Sequence, residues 1–295
     1  MTGAVWAAAS GLGFGVFQSL NRRAVAQMDV YFATFLQLLV ACAVLLALTA
    51  STEDLDALRS ATARGIGFFV AAGLVHFFAG WTFLNVSQKR IGAARTSPLI
   101  ATTPLFGAFI ALVTLGEIPG MLAWLGIVLV TVGAYVVGVA RLSGAPAGLR
   151  WSETSYGLAC AFAWSLSPVL VREGLKGLDS PLIGLSIGMV AAVAAFALAL
   201  VVRGRGVASE PLVWDALTFK LVAGVFVGLS TWGRWVALDL TTIGVVLALN
   251  LLSVPVVLTL SPLLMGRHVE HVTPKVWLGA FLVIGGSLLL IARSL

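Results

Sequence analysis

Residues 181–202 read PLIGLSIGMVAAVAAFALALVV. No charge interrupts this run, and it exceeds the roughly 20 apolar residues that a membrane-spanning helix needs. Its apolar residues are continuous rather than alternating, which separates a lipid-crossing helix from an outer-membrane strand. Comparable runs cover about 3–21, 31–50, 65–86, 95–114, 121–140, 154–172, 217–238, 242–264 and 275–292, so ten spans are expected. The connections are short. The longest is the acidic stretch from Ser51 to Arg64, with Glu53, Asp54 and Asp56. Small residues recur at four-residue spacing, as at Gly11 and Gly15, Gly184 and Gly188, and Gly224 and Gly228. Such pairs let helix backbones approach closely.

Composition agrees with this reading. Of 295 residues, 60% are apolar and 10% charged, against about a quarter charged in a soluble domain. The mean hydropathy is +1.05. Too little polar surface remains for a soluble enzyme, a nucleic-acid binder or a disordered chain. The expected class is an all-α polytopic membrane protein whose environment is the lipid bilayer. The net charge of +6 is therefore read as topogenic charge in loops, with no nucleic-acid partner. Twelve Lys and Arg are counted on one side, Lys220 included, against five on the other (Arg59, Arg64, Arg172, Lys176 and Arg293). The positive-inside rule then places both termini outside the cytoplasm. Arg22 and Arg23 follow the first apolar run, unlike the basic start of a cleaved signal. Cys42 and Cys160 fall in apolar runs and read as packing residues.

The chain also reads as two copies of one five-helix unit, 1–145 and 151–295. Offset by 150 residues, Phe14 matches Trp164, Arg22 matches Arg172 and Asp29 matches Asp179. After a short insertion the offset is 152 or 153. Gly92 then matches Gly244, Glu117 matches Glu270, Gly126 matches Gly279 and Gly133 matches Gly286. Five is odd, so the second copy enters the membrane in the opposite direction. The result is a 5+5 inverted repeat, the architecture of many secondary transporters. In that class substrate binds near the midplane between the halves, beside spans interrupted by Pro or Gly at corresponding places. Span four has Pro98 and Pro104, span nine has Pro255 and Pro262, and span six has Pro168. These are the expected kink or gating positions.

The run Ala93-Ala94-Arg95-Thr96-Ser97-Pro98, followed by Pro104-Leu105-Phe106 and Leu115-Gly116-Glu117, resembles the EamA-type repeat of the drug/metabolite transporter superfamily. The stretch from Gly244 through Pro255 to Val269-Glu270 is similar, with Val269 where Gly is expected. The resemblance covers nearly the whole chain. It implies ten helices, an inverted repeat and transport of small metabolites across the plasma membrane, the bacterial inner membrane. Within the superfamily the chain looks most like the YddG-type exporters of aromatic amino acids, through overall similarity and through His76 and Trp164. That likeness implies a central cavity lined mainly by helices 1, 3, 4, 6, 8 and 9. The implied function is export of amino acids or similar zwitterions by alternating access. A monomer suffices, because two fused repeats carry their interface internally. A passive facilitator and a multidrug-type exporter are alternatives within the superfamily. An intramembrane enzyme is the alternative outside it.

Polar groups inside spans are costly and mark function or a partner. No Asp or Glu falls near a span centre, so proton coupling through a buried acid is disfavoured. His76 in span three is the first candidate. Burial penalises its charged form, so a neutral imidazole is free to hydrogen-bond a ligand. Phe77, Gly80 and Trp81 follow it, and Gly80 shares its face, where substrate can approach the backbone. Trp164 and its repeat partner Phe14 are placed to sandwich a flat ligand or attract an ammonium group. Gln18, opposite Pro168 in the repeat, offers a donor and an acceptor. Arg234 can grip a carboxylate with both arms of its fork, or pair with Asp239. Asn85 and Asn250 complete the substrate-binding set. Thr102 and Thr103, beside Pro104, can relieve hydrogen bonds at a kink.

Other motifs carry no chemistry. Gly184-Leu185-Ser186-Ile187-Gly188 fits a nucleophile elbow but lies inside an apolar span, without the strand and turn that motif requires. His268-Val269-Glu270-His271 lacks the zinc-protease spacing, and no metal is expected. Gly11-Leu12-Gly13-Phe14-Gly15 precedes no nucleotide fold, and there is no P-loop, so no cofactor is expected.

Overall fold

In lipid a backbone must satisfy its own hydrogen bonds, and a helix does so within one segment. The computed structural model of the chain describes residues 3–115, 121–139, 151–202, 213–266 and 272–291, and among them are helices and no strand. The first half holds α1 (Gly3–Val25), α2 (Val30–Thr52), the single turn α3 (Ala57–Ser60), α4 (Ala63–Gly73), α5 (Trp81–Ile91), α6 (Ala93–Ile100), α7 (Thr103–Leu115) and α8 (Met121–Val139). The second half holds α9 (Trp151–Leu175), α10 (Pro181–Val202), α11 (Trp214–Leu240), α12 (Ile243–Asn250), α13 (Ser253–Met265) and α14 (Pro274–Ile291). Among the described residues, six helical stretches are long and apolar enough to cross a membrane: Val30–Thr52, Ala63–Ile91, Ser152–Leu175, Pro181–Val202, Trp214–Leu240 and Ile243–Met265. Met121–Val137 and Pro274–Leu290 are shorter apolar helices. Glu117, its match Glu270 and the run His268–His271 lie outside the described residues.

Three local features shape the site. Leu74–Gly80 joins α4 to α5 as a π-helical turn, so Ala63–Ile91 is one rod with a bulge at its centre. Span four breaks at Ala101–Thr102, between α6 and α7, and span nine breaks at Leu251–Leu252, between α12 and α13. Pro104 and Pro255 sit in the first turn after each break, where a missing N–H costs least. Pro98, Pro168 and Pro262 lie within helices. The Thr102 and Thr103 hydroxyls donate to the Leu99 and Ile100 carbonyls, both at 2.6 Å. At the other break the Ser253 hydroxyl donates to the Asn250 carbonyl at 2.8 Å.

The third feature corrects the charge count. Lys220, read as a loop charge, is fully buried within α11.

Asp29 caps α2, its carboxylate accepting from the Tyr31 and Phe32 N–H groups at 3.0 Å. Asp29→Ala is expected to destabilise the protein by about 1 kcal/mol, read as a lower thermal midpoint in detergent. Between α5 and α6 the chain reverses at Gly92, whose φ of 83° suits a residue without Cβ.

Glycines set the closest helix crossings. A Cβ on Gly73 of α4 would collide with the Gly188 backbone of α10. On α8 and α14 the contacts are reciprocal. A Cβ on Gly126 would lie 2.7 Å from the Gly286 carbonyl oxygen, and one on Gly286 would lie 2.7 Å from that of Gly126. Gly133 and Gly279 meet the same way, at 2.7 and 2.8 Å. Higher numbers on α8 meet lower ones on α14, so the crossing is antiparallel. Elsewhere α1 packs along α11, and α4 and α5 pack on α9. Each half thus lays its first helix on the third helical rod of the other. Trp81, Trp235, Phe17, Phe69 and Phe77 are among the largest fully buried side chains.

Candidate functional site

A cavity of about 580 Å³ of empty space, its mouth included, opens where these elements converge. Ser10 and Phe14 face it from α1, His76 from the π-helical turn and Trp164 from α9. Ser230, Thr231 and Arg234 face it from α11. The remaining wall comes from both helix breaks, with Ala101, Thr103 and Pro104 on one and Asn250, Leu251 and Ser253 on the other. Irregular backbone is tolerated at membrane depth where it lines a cavity.

The ring contacts explain how His76 is held. Its imidazole stacks on Trp164, with ring centres 5.1 Å apart and planes 14° off parallel. The Trp164 indole N–H donates to the His76 carbonyl oxygen at 3.1 Å. His76 Nδ1 and the Ser167 hydroxyl are 2.9 Å apart. The position of Nδ1 is thereby fixed, and Nε2 has no hydrogen-bond partner among the described residues. π-bulges in helices are frequent at functional sites, and here the bulge carries the histidine.

Arg234 is 9% exposed and makes no hydrogen bond or ion pair among the described residues. It does not pair with Asp239. A buried guanidinium without an acid is costly, and its fork faces the cavity with all its donors available.

The structure brings together Phe14, His76, Trp164, Arg234, Asn250 and Pro104 from the expected set. Other members are placed differently. Phe14 meets Trp164 directly, edge to face with ring centres 5.4 Å apart, so the two do not flank a gap for a ligand. Gly80 is covered by the Trp164 indole and does not line the cavity. It gives room to Trp164 rather than to substrate. Phe77 and Trp81 are core aromatics, in contact with each other and, through Phe77, with Trp235. Gln18 is fully buried, and neither atom of its amide has a partner among the described residues. Asn85 belongs to a separate amide cluster with Asn21, Gln37, Gln88 and Lys220. Ser10, Ser167, Ser230, Thr231 and the Lys220 cluster were missed. Small hydroxyl residues give no signal in an apolar run, and each such residue bonds a nearby carbonyl as readily as a ligand. Ser186, in the apparent nucleophile elbow, sits mid-helix with its hydroxyl 2.8 Å from that of Thr49. Among the described residues, no group of three His, Cys, Asp or Glu is placed to hold a metal.

A solved crystal structure shares this fold, with 20% sequence identity, a TM-score of 0.60, and coverage of 97% of this chain and 98% of its own. No curated protein matches the chain. Residues 1–139 match the EamA-like transporter family. The first 139 residues of this multi-pass membrane protein are therefore similar to the EamA-like transporter family, within the drug/metabolite transporter superfamily.

Proposed function

We propose that the chain is a secondary transporter that exports amino acids, aromatic ones among them, by alternating access. On this reading it crosses the bacterial inner membrane ten times, as two inverted repeats, residues 1–145 and 151–295. Both termini lie outside the cytoplasm. The Lys and Arg count supports that orientation even after Lys220 is removed from it. The reciprocal glycine contacts of α8 and α14 support the repeat: exchanging matched residues turns the Gly126–Gly286 contact into Gly279–Gly133. The helix breaks at 101–102 and 251–252, in the corresponding spans four and nine and offset by 150 residues, support it as well.

The observation that carries the function is Arg234. A substrate carboxylate supplies the charge that its buried guanidinium lacks, in bidentate geometry. His76 Nε2 and the rings of Trp164 and Phe14 border the same space, so an amino acid's ammonium and side chain meet polar and aromatic surfaces there.

The test is counterflow in proteoliposomes preloaded with single amino acids. Saturable exchange of at least one is the expected result. Large unsaturated conductance, or no movement of any amino acid by folded protein, overturns the reading. Within that assay, His76→Ala and Trp164→Ala are each expected to lower flux by about tenfold while the protein stays folded. Wild-type kinetics in both variants would remove the site from the pathway.

A further inference from the structure

The Lys220 cluster lies outside the cavity. Lys220 Nζ donates to Asn21 Oδ1 and, at 2.7 Å, to Gln37 Oε1. An ammonium offers donors alone, so it turns both amide oxygens toward itself and orients the rest. Asn21 Nδ2 then points away and donates to Asn85 Oδ1 and Gln88 Oε1, both at 2.6 Å. Asn85 Nδ2 donates in turn to Thr34 Oγ1 at 2.9 Å and Gln37 Oε1 at 3.4 Å. All four amide oxygens are used. The side-chain atoms left without partners are Gln37 Nε2 and Gln88 Nε2, and both are donors. The lysine and all four amide residues have no exposed surface. The cluster therefore has surplus donors around a buried lysine amine, and no carboxylate is among its hydrogen-bond partners. Asp215, the acid nearest Lys220 along α11, is held by Arg23 at 3.0 Å, and both side chains are partly exposed. Lys89, next to Gln88, donates to the Met28 carbonyl at 2.6 Å.

We propose that Lys220 with Asn21, Gln37, Asn85 and Gln88 forms a second anion-binding site, fitted to a carboxylate, on the path between the cavity and the end of the bundle bearing Arg22, Arg23 and Lys89. A monovalent anion supplies the acceptor and the charge together. Polar groups lead to the site from the cavity. Phe14, Gln18 and Asn21 share a face of α1 at spacings of four and three, a path of about 10 Å at 1.5 Å per residue. Trp81, Asn85 and Gln88 do the same on α5. The unpartnered Gln18 amide and Trp81 Nε1 lie between cavity and cluster on these faces. Lys220 belongs to the second half and its amide partners to the first, so separation of the halves on this side uncovers the donors. The assignment of the anion to the transported substrate rests on the amino acid reading proposed above, whereas the site itself does not.

The test uses the purified full-length Arg234→Gln variant in detergent, so that the cavity guanidinium takes no part. Its thermal midpoint is followed against sodium formate and, separately, sodium chloride. Ionic strength is held with sodium gluconate, which is too bulky for an enclosed cluster. Formate is expected to raise the midpoint saturably, and Lys220→Gln in the same background to weaken that response by about tenfold or more. Protection by formate and not chloride assigns the site to carboxylates. Equal protection by chloride overturns the fit to a carboxylate. Gln88→Glu guards against a misfolded Lys220 variant: it builds a carboxylate into the cluster and is expected to abolish the formate response without lowering the midpoint. No saturable protection in Arg234→Gln, or an unchanged response after Lys220→Gln and Gln88→Glu, overturns the proposal. Loss of transport on changing Arg234 does not bear on it.

Discussion

Arg234→Leu is expected to abolish transport of amino acids and to leave the unliganded protein as stable as before, or more stable. The two halves of this result have one cause. The guanidinium is 9% exposed and has no acid beside it among the described residues, so the resting protein carries its desolvation cost uncompensated. Leucine removes that cost and keeps most of the volume. Once substrate is bound, the guanidinium becomes one partner of a buried charge pair. Truncating such a partner costs about 2–5 kcal/mol, roughly thirtyfold to more than a thousandfold in affinity. Substrate-induced thermal shift and counterflow should both lose the amino acid signal, while the baseline midpoint holds or rises. Arg234→Lys retains the charge without the planar fork and is expected to fall between the two. An amine analogue without the carboxylate should bind wild type and Arg234→Leu alike. Wild-type counterflow in Arg234→Leu, or a collapsed baseline midpoint, would show that the guanidinium serves the fold instead.

Much of this site was legible as residue types and little of it as geometry. The apolar run 181–202 gives its helix, Pro181–Val202, because a span's length is a property of the run alone. Pro104 and Pro255 mark the two breaks, because proline acts on its own backbone. The face on which a helix meets its neighbours is another matter. In α11 apolar residues surround the axis, and periodicity cannot say which of them meet another helix. Lys220 therefore read as a loop charge near a span end, when its burial depends on Asn21, Gln37 and the helices that carry them. The bulge at Leu74–Gly80 adds no distinctive residue, so LVHFFAG gives no sign that His76 leaves α-helical register. The repeat matches Phe14 with Trp164, and the two rings meet. Their separation was not legible, since a gap and a contact have the same sequence.

Gly286→Leu and Gly285→Leu, adjacent in α14, are expected to change stability in opposite directions. A Cβ on Gly286 falls 2.7 Å from the Gly126 carbonyl oxygen and 2.8 Å from the Val130 nitrogen. These are backbone atoms and cannot rotate away, so α8 and α14 must separate. Overpacking of this kind costs about 1–3 kcal/mol, occasionally more, and the glycine-mediated contact that holds the helices together in lipid is lost with it. A Cβ on Gly285 meets nothing within 4 Å, so there the higher helix propensity of leucine is worth up to about 1 kcal/mol. Thermal midpoints in detergent read both. The proposed inverted repeat adds a further constraint. If matched residues occupy equivalent places, Gly133→Leu should cost about as much as Gly286→Leu, and Gly126→Leu about as much as Gly279→Leu. If Gly286→Leu proves as stable as Gly285→Leu, the close crossing is not what joins these helices. If the matched variants differ by more than the scatter between neighbouring sites, the two halves are not related as the repeat requires.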